Sequence, residues 1–240
     1  MLKGTETWVP NELRHAGREN CDVEHAARYD QKEDAAAAEE IALLRERIGR
    51  HATIIDLGAG TGQFAIAAAS VVQHVTAVDV SPVMLSQLEA KLRSLGVRNV
   101  DCKLAGFLTY LHDGRPADLV YSRYALHHLP DFWKALALSR MATFLRPGGV
   151  LRLWDVVYSF SPNEAALRLE QWMAAFDPSA GADSWNRADL VEHVRDEHST
   201  FSWVLEPMIE RAGFAIETAE YSPDQIFAKY ICVRQGQPLA

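Results

Sequence analysis

Two histidines stand side by side in "YSRYALHHLP", residues 121–130, after an apolar run and before a proline. Imidazole exchanges protons near neutrality, so His127 and His128 are candidates for a general base. Adjacent loop residues point in different directions, so at most one is expected to face a bound reactant. The competing reading is that they hold their loop by hydrogen bonds to backbone. Farther back, "IIDLGAGTGQF" sets Gly58, Gly60 and Gly62 in a strand-to-helix turn, with Asp56 two residues ahead. Glycines there let backbone come close to a ligand, and the helix start offers N–H groups to an anion. Asp79 ends the run "VTAVD". In a βαβ unit an acid at that place accepts hydrogen bonds from ribose hydroxyls. The chemistry implied is the binding of a nucleoside cofactor.

These residues need a scaffold, and the flanking pattern supplies one. "ATIIDLG", "HVTAVDV", "VRNVDCKLAGF", "ADLVYS" and "RPGGVLRLWDVV" read as strands. Helices alternate with them. "KEDAAAAEEIALLRERIG" is expected to run as a helix to Gly49, and "QFAIAAASVV" is a small-residue helix that can pack close to a sheet. Ser81-Pro82 opens a third helix that Gly96 closes, and Pro130-Asp131 opens a fourth. Such alternation predicts an α/β fold with a parallel sheet covered on both faces. Helical segments near 162–176, 187–197 and 202–212 then follow without an intervening strand. Two of the three are surplus to a single crossover and are expected to cap the carboxyl edge of the sheet. "FAIETAEY" and "IFAKYICVR" close the chain, and the short turn "SPDQ" predicts an antiparallel pair.

In that arrangement ligands sit beyond the carboxyl ends of the strands. Ser122 and Arg123 fall there and are assigned to the cofactor. Tyr124, Trp154 and Asp155 fall there too and are assigned to the acceptor, with Trp185 and Arg187 added from the cap. His193, Glu197 and His198 invite a metal reading. His193 and His198 are five apart rather than one helical turn, so they are read as a solvated helix face and no metal is expected. Cys21, Cys102 and Cys232 lie far apart with no CxxC spacing, which predicts neither a disulfide framework nor a zinc or soft-metal site.

"IIDLGAGTG", "AVDVSPVML", "ADLVYSRYALHHLPD" and "LRPGGVLRL", in that order over residues 52–157, make the chain resemble the class I S-adenosylmethionine-dependent methyltransferases. The closer likeness is to small-molecule enzymes of the methyltransferase type 11/25-like, ubiquinone/menaquinone-methyltransferase-like group, in a bacterial branch of it. The resemblance implies a Rossmann-like, doubly wound, seven-stranded sheet with a reversed C-terminal hairpin and a helical cap. It implies S-adenosylmethionine as cofactor and S-adenosylhomocysteine as product. It places the three glycines at the amino-acid end of the cofactor, Asp56 near its amine and Asp79 on its ribose. Val80, Met84, Gly106 and Phe107 would lie near the adenine. Many relatives carry an acid where this chain has Gly106, so another group must take that contact here. Tyr29 sits where relatives fold a helix over the methionine end. The chain is thus expected to divide into an N-terminal helical lid (1–50), a cofactor-binding core (51–158), a helical insertion (159–212) and completing strands (213–240).

Length and composition fit this reading. The chain has 240 residues, 48% of them hydrophobic and 23% charged, and a net charge of −8. No basic footprint for nucleic acid is visible. A nucleic-acid methyltransferase would commonly show an Asn/Asp-Pro-Pro-aromatic tetrad where Ser122-Arg123-Tyr124-Ala125 stands. The longest apolar run, Phe64 to Val72, is about half a membrane span. The N-terminus has no apolar stretch of the kind a signal peptide needs. A cytoplasmic enzyme, monomer or homodimer, acting on a small-molecule acceptor is expected, with no nucleic acid and no membrane insertion. Positioning would supply most of the rate in an in-line displacement. An NAD-type oxidoreductase fits less well, because Gln63 stands where the dinucleotide pattern needs its last glycine and the final hairpin is reversed. A non-catalytic S-adenosylmethionine-binding module is the remaining alternative.

Overall fold

The computed structural model describes residues 8–16, 36–176 and 186–236. Five parallel strands form the sheet that the alternation predicts: β1 (Thr53–Leu57), β2 (His74–Asp79), β3 (Val100–Leu104), β4 (Ala117–Arg123) and β5 (Leu145–Tyr158). Between them run α2 (Gln63–Ala69), α3 (Pro82–Leu95) and α4 (Asp131–Phe144), preceded by α1 (Ala37–Leu44). The two-residue strand β6 (Thr200–Phe201) pairs with β5, and β7 (Phe214–Tyr221) and β8 (Phe227–Arg234) form the antiparallel hairpin. The main order is β3-β2-β1-β4-β5-β8-β7, so the reversed β8 pairs directly with β5. No described helix is long and apolar enough to cross a membrane.

Local chemistry explains most element ends. Ser81 caps α3 by accepting the Met84 N–H at 3.2 Å, and Gly96 ends it in the left-handed region. α1 departs from expectation. It stops at Leu44, five residues before Gly49, because Arg47 and Ile48 both turn back onto the Leu44 carbonyl. That tighter turn carries Ile48 into the core beside Leu44 and Ile54. The expectation of no strand between the late helices also needs correction, since β6 interrupts them.

Two apolar layers enclose the sheet. One joins Ile55, Val120, Leu151 and Leu153 to α4 and α7 (Ser202–Arg211). The other joins Ile54, Val75, Ala77 and Tyr121 to α1, α2 and α3. A third, smaller cluster packs Trp172 and Met173 of α5 (Ala165–Ala174) and Leu190 of α6 (Arg187–Asp196) against Val156, Tyr158 and Ile226. α5 and α6 therefore form the extra helical layer at the end of β5, while α7 covers the sheet as a crossover.

Buried charges tie these layers together. Arg152 of β5, 1% exposed, makes two 2.7 Å hydrogen bonds to Glu40 of α1. On α4, Arg140 donates to the carbonyls of Phe107 and Tyr110. Lys134, six residues earlier on α4, donates to Asp131 and to the His198 carbonyl. One helix thus pins the loop after β3 and the loop after α6, which are two walls of the cavity described next.

Candidate active site

A cavity of ≈ 280 Å³ opens at the carboxyl ends of β1, β2 and β4, under α5 and α6. Gly58, Gly60, Asp79, Val80, Gly106 and Phe107 line one end. Tyr124, His127, His128, Trp172, Leu190, His193, Glu197 and Phe227 line the other. A smaller recess of ≈ 50 Å³ shares Gly58, Gly60 and Tyr124 and adds Asp56, Arg123, Phe64 and Ala37.

Asp79 is built into the turn itself. Its Oδ2 accepts the Gly60 N–H and its Oδ1 the Ser81 N–H, both at 2.8 Å. A carboxylate has about four acceptor positions, so both oxygens can still receive a ligand's hydroxyls. Asp56 is buried, and its Oδ2 has no hydrogen-bond partner among the described residues. Burial, and then the charge of Asp79, push its carboxyl up to about 8 against the pull of the Ala65 N–H. An orphaned carboxylate in a recess fits a cationic ligand group, which would supply the missing partner.

Glu12 is the acid that sequence reasoning missed. It sits on a one-turn 3₁₀ helix, Glu12–Arg14, and lines the cavity. Its carboxylate accepts the Leu108 N–H at 3.1 and 3.2 Å and the Thr109 hydroxyl at 3.0 Å. Burial pushes its carboxyl up, while the Leu108 N–H pulls it down. A Cβ on Gly106 would lie 2.3–2.5 Å from the Glu12 carboxylate. The position after β3 therefore has no side chain because a carboxylate from the N-terminal segment fills its space. The signal in the sequence was Gly106 itself, which could tell that something replaces the acid but not what.

The histidine loop is a second constellation. The Asp155 carboxylate receives the His127 main-chain N–H at 3.0 Å on Oδ2 and meets the His127 ring at Nδ1 with Oδ1. On its other side, His127 Nε2 lies 2.9 Å from Glu197 Oε2, which also touches His193 Nδ1. Burial alone would lower the His127 pKa, but Asp155 and Glu197 together push it up to about 10. His128 goes the other way: burial, and then the charge of His127, push it down to about 3. Neither ring is poised near neutrality as a general base would be. His127 does hold its loop, but through side-chain carboxylates rather than backbone: its ring meets Asp155, which lies within the buried part of β5, and Glu197.

The remaining candidates divide by position. Gly62 lines neither cavity. A Cβ there would meet Leu88 Cδ1 at 2.1 Å, so this glycine lets α3 pack against the turn. Met84 is buried under the wall, and Ser122 is enclosed within β4. Trp154 also lies outside the cavity, held between the Arg123 guanidinium at 4.0 Å and the Lys229 ammonium at 3.6 Å. Asp155 reaches the cavity only through His127. Arg187 faces solvent and pairs with Glu170 at 2.6 Å, tying α6 to α5. These six were expected to touch ligand and are placed behind or away from the cavity: Ser122, Trp154 and Asp155 within strands, Met84 and Arg187 on helices, and Gly62 at the start of α2. Tyr124 does reach it, from a backbone with φ of 50° that turns its ring inward from the end of β4. Tyr29 and Trp185 lie outside the described residues. The solvated-face reading of His193 and Glu197 is corrected: their side chains are only 12% and 14% exposed and meet at i,i+4 spacing.

Comparison with known proteins places this chain in a family. Residues 54–149 match the methyltransferase domain family. An uncharacterized methyltransferase of Mycobacterium bovis is 30% identical over 139 residues, 58% of this chain and 68% of that one. Trans-aconitate 2-methyltransferase of Methylobacterium radiotolerans is 34% identical over 157 residues, 65% of this chain and 55% of its own length. Magnesium protoporphyrin IX methyltransferase of Synechocystis, solved with bound S-adenosylmethionine, shares the fold with a TM-score of 0.65 at 13% identity, over 96% of this chain and all of that one.

Proposed function

The chain belongs to the class I S-adenosylmethionine-dependent methyltransferases, and from that premise we propose that it methylates a small-molecule acceptor held under its helical cap. The residues present fit the cofactor. The orphaned Asp56 Oδ2 carries this reading, because the methionine end brings an ammonium to the recess it lines. Asp79 would hold the ribose with the acceptor positions left by its two backbone bonds. Glu12 would take the adenine amino group in place of the acid that relatives carry at position 106. Val80, Phe107 and Gly106 would flank the ring, and Gly58 and Gly60 would let the backbone approach the methionine portion.

When bound, S-adenosylmethionine supplies an electrophilic methyl group on a sulfonium whose departure leaves a neutral thioether. No oxyanion develops on the leaving group, so the protein's task is to align the acceptor and exclude water. Tyr124 stands where the two cavities meet and separates the cofactor recess from the cap. Beyond it, Trp172, Phe176, Leu190 and Phe227 form an apolar wall that faces the polar edge of His128, His193 and Glu197. That combination suits an acceptor with an apolar body and one polar group. The relative named for trans-aconitate supports a small acceptor over a macromolecular one.

The test is at Glu12. Glu12→Ala is expected to weaken S-adenosylhomocysteine binding by about 1.5–3 kcal/mol, the cost of losing a hydrogen bond to a charged group. The deaminated inosyl analogue should bind wild type and variant alike, as it offers no amino group. Equal weakening of both ligands in calorimetry would mean that Glu12 only braces the loop after β3.

A further inference from the structure

We propose that His127, His193 and Glu197 form a binding site for one divalent transition-metal ion of the zinc class. The three side chains come from two separate elements, the turn after β4 and the C-terminal end of α6. Their donor atoms all lie within 4.8 Å of one another. His127 Nε2 and His193 Nδ1 converge on the same carboxylate oxygen, Glu197 Oε2. Two imidazoles and one carboxylate are a donor set for Zn²⁺, Fe²⁺ or Co²⁺, and not for Mg²⁺ or Ca²⁺, which take oxygen.

The second ring nitrogens strengthen the assignment. Ligating histidines almost always use the far nitrogen to bond an oxygen acceptor, most often a carboxylate, backbone carbonyl or water, which fixes ring orientation. Here the far nitrogen of His127 meets Asp155, and the far nitrogen of His193 lies 2.9 Å from the Ser199 hydroxyl. Asp155 is itself fixed by the Val156 N–H at 2.8 Å. The His198 N–H donates to the His127 carbonyl at 3.0 Å, which locks the Glu197 loop to the histidine turn. A further imidazole stands close: His128 Nδ1 is buried without a hydrogen-bond partner among the described residues, 4.0 Å from Glu197 Oε1.

Three protein ligands leave coordination positions open, as in catalytic rather than structural sites. All three residues line the cavity, at the end away from Asp79. An ion there would present its open positions to an oxygen or nitrogen of the acceptor. That last placement rests on the proposed cofactor orientation, whereas metal binding itself does not.

The experiment titrates Zn²⁺ into chelator-treated, desalted full-length protein by calorimetry, with Co²⁺ followed by its visible absorption. One ion per chain is expected. Affinity should fall at least tenfold in His193→Ala and in the isosteric Glu197→Gln. Both variants should keep S-adenosylhomocysteine binding, which shows them folded and leaves the cofactor reading intact. Absence of stoichiometric Zn²⁺ and Co²⁺ binding by wild type overturns the proposal. So does binding that both folded variants leave unchanged, because the ion would then sit elsewhere. Loss of cofactor binding by wild type would instead count against the proposed function.

Discussion

Glu40→Ala is expected to cost about 3–5 kcal/mol of folding stability, the usual result of removing one partner from a buried ion pair. Arg152 lies in β5 with its guanidinium 1% exposed, and Glu40 meets it through two bonds of 2.7 Å. Deleting the carboxylate leaves the cation in the sheet interior with no matching charge. The pair also fastens α1 to the sheet, and Ala37 of that helix reaches the recess that Asp56 lines. Urea denaturation should show a lower midpoint with an unchanged slope. A midpoint equal to wild type would mean that water or another group compensates Arg152. Glu40→Gln keeps the shape and one acceptor, so a smaller loss is expected.

Asp56→Asn is expected to move stability and cofactor affinity in opposite directions. The Asp56 carboxyl is raised to about 8 by burial and by the nearby Asp79 charge. Tyr121 packs alongside, and Arg123 lines the same recess. A carboxyl whose folded pKa is raised favours the fold below its unfolded pKa, near 4, and that contribution is lost as pH rises through 8. Asparagine removes the titration. The variant should therefore match wild type near pH 4 and become more stable towards pH 8, by about 0.5–2 kcal/mol. Cofactor affinity should fall by about 1.5–3 kcal/mol, because the amide cannot neutralise an ammonium. In wild type, affinity should rise with pH up to about 8 as the carboxylate forms. Thermal melts across that range and calorimetry at its two ends measure both. A variant less stable than wild type at pH 8 would show that Asp56 serves the fold rather than the ligand.

What the sequence discloses here is local. Helical and strand periods, the Ser81 cap, the Gly96 stop and the short turn before β8 depend on neighbours a few residues apart, and all take the expected form. The turn of Gly58 and Gly60 and the acid at Asp79 were legible for the same reason. Glu12 was not, since it acts on Leu108 and Thr109 across almost a hundred residues and no period links them. Glu40 and Arg152 meet over a similar distance. At the strand ends the difficulty was side-chain direction. Tyr124 follows β4 and Trp154 lies within the neighbouring β5, and only Tyr124 turns into the cavity, aided by its positive φ. His193 and Glu197 did carry a signal in their one-turn spacing. His198 drew attention to the wrong pair, because the chain leaves the helix at Glu197.

The most direct test of the cofactor site is a calorimetric titration of S-adenosylhomocysteine into wild type and Asp79→Ala. Wild type should bind one equivalent. The variant should bind more weakly by about 1.5–3 kcal/mol, roughly 10- to 150-fold, for lost hydrogen bonds to a charged group. An affinity unchanged by Asp79→Ala, or no binding by wild type, would contradict the placement of the cofactor along Asp79.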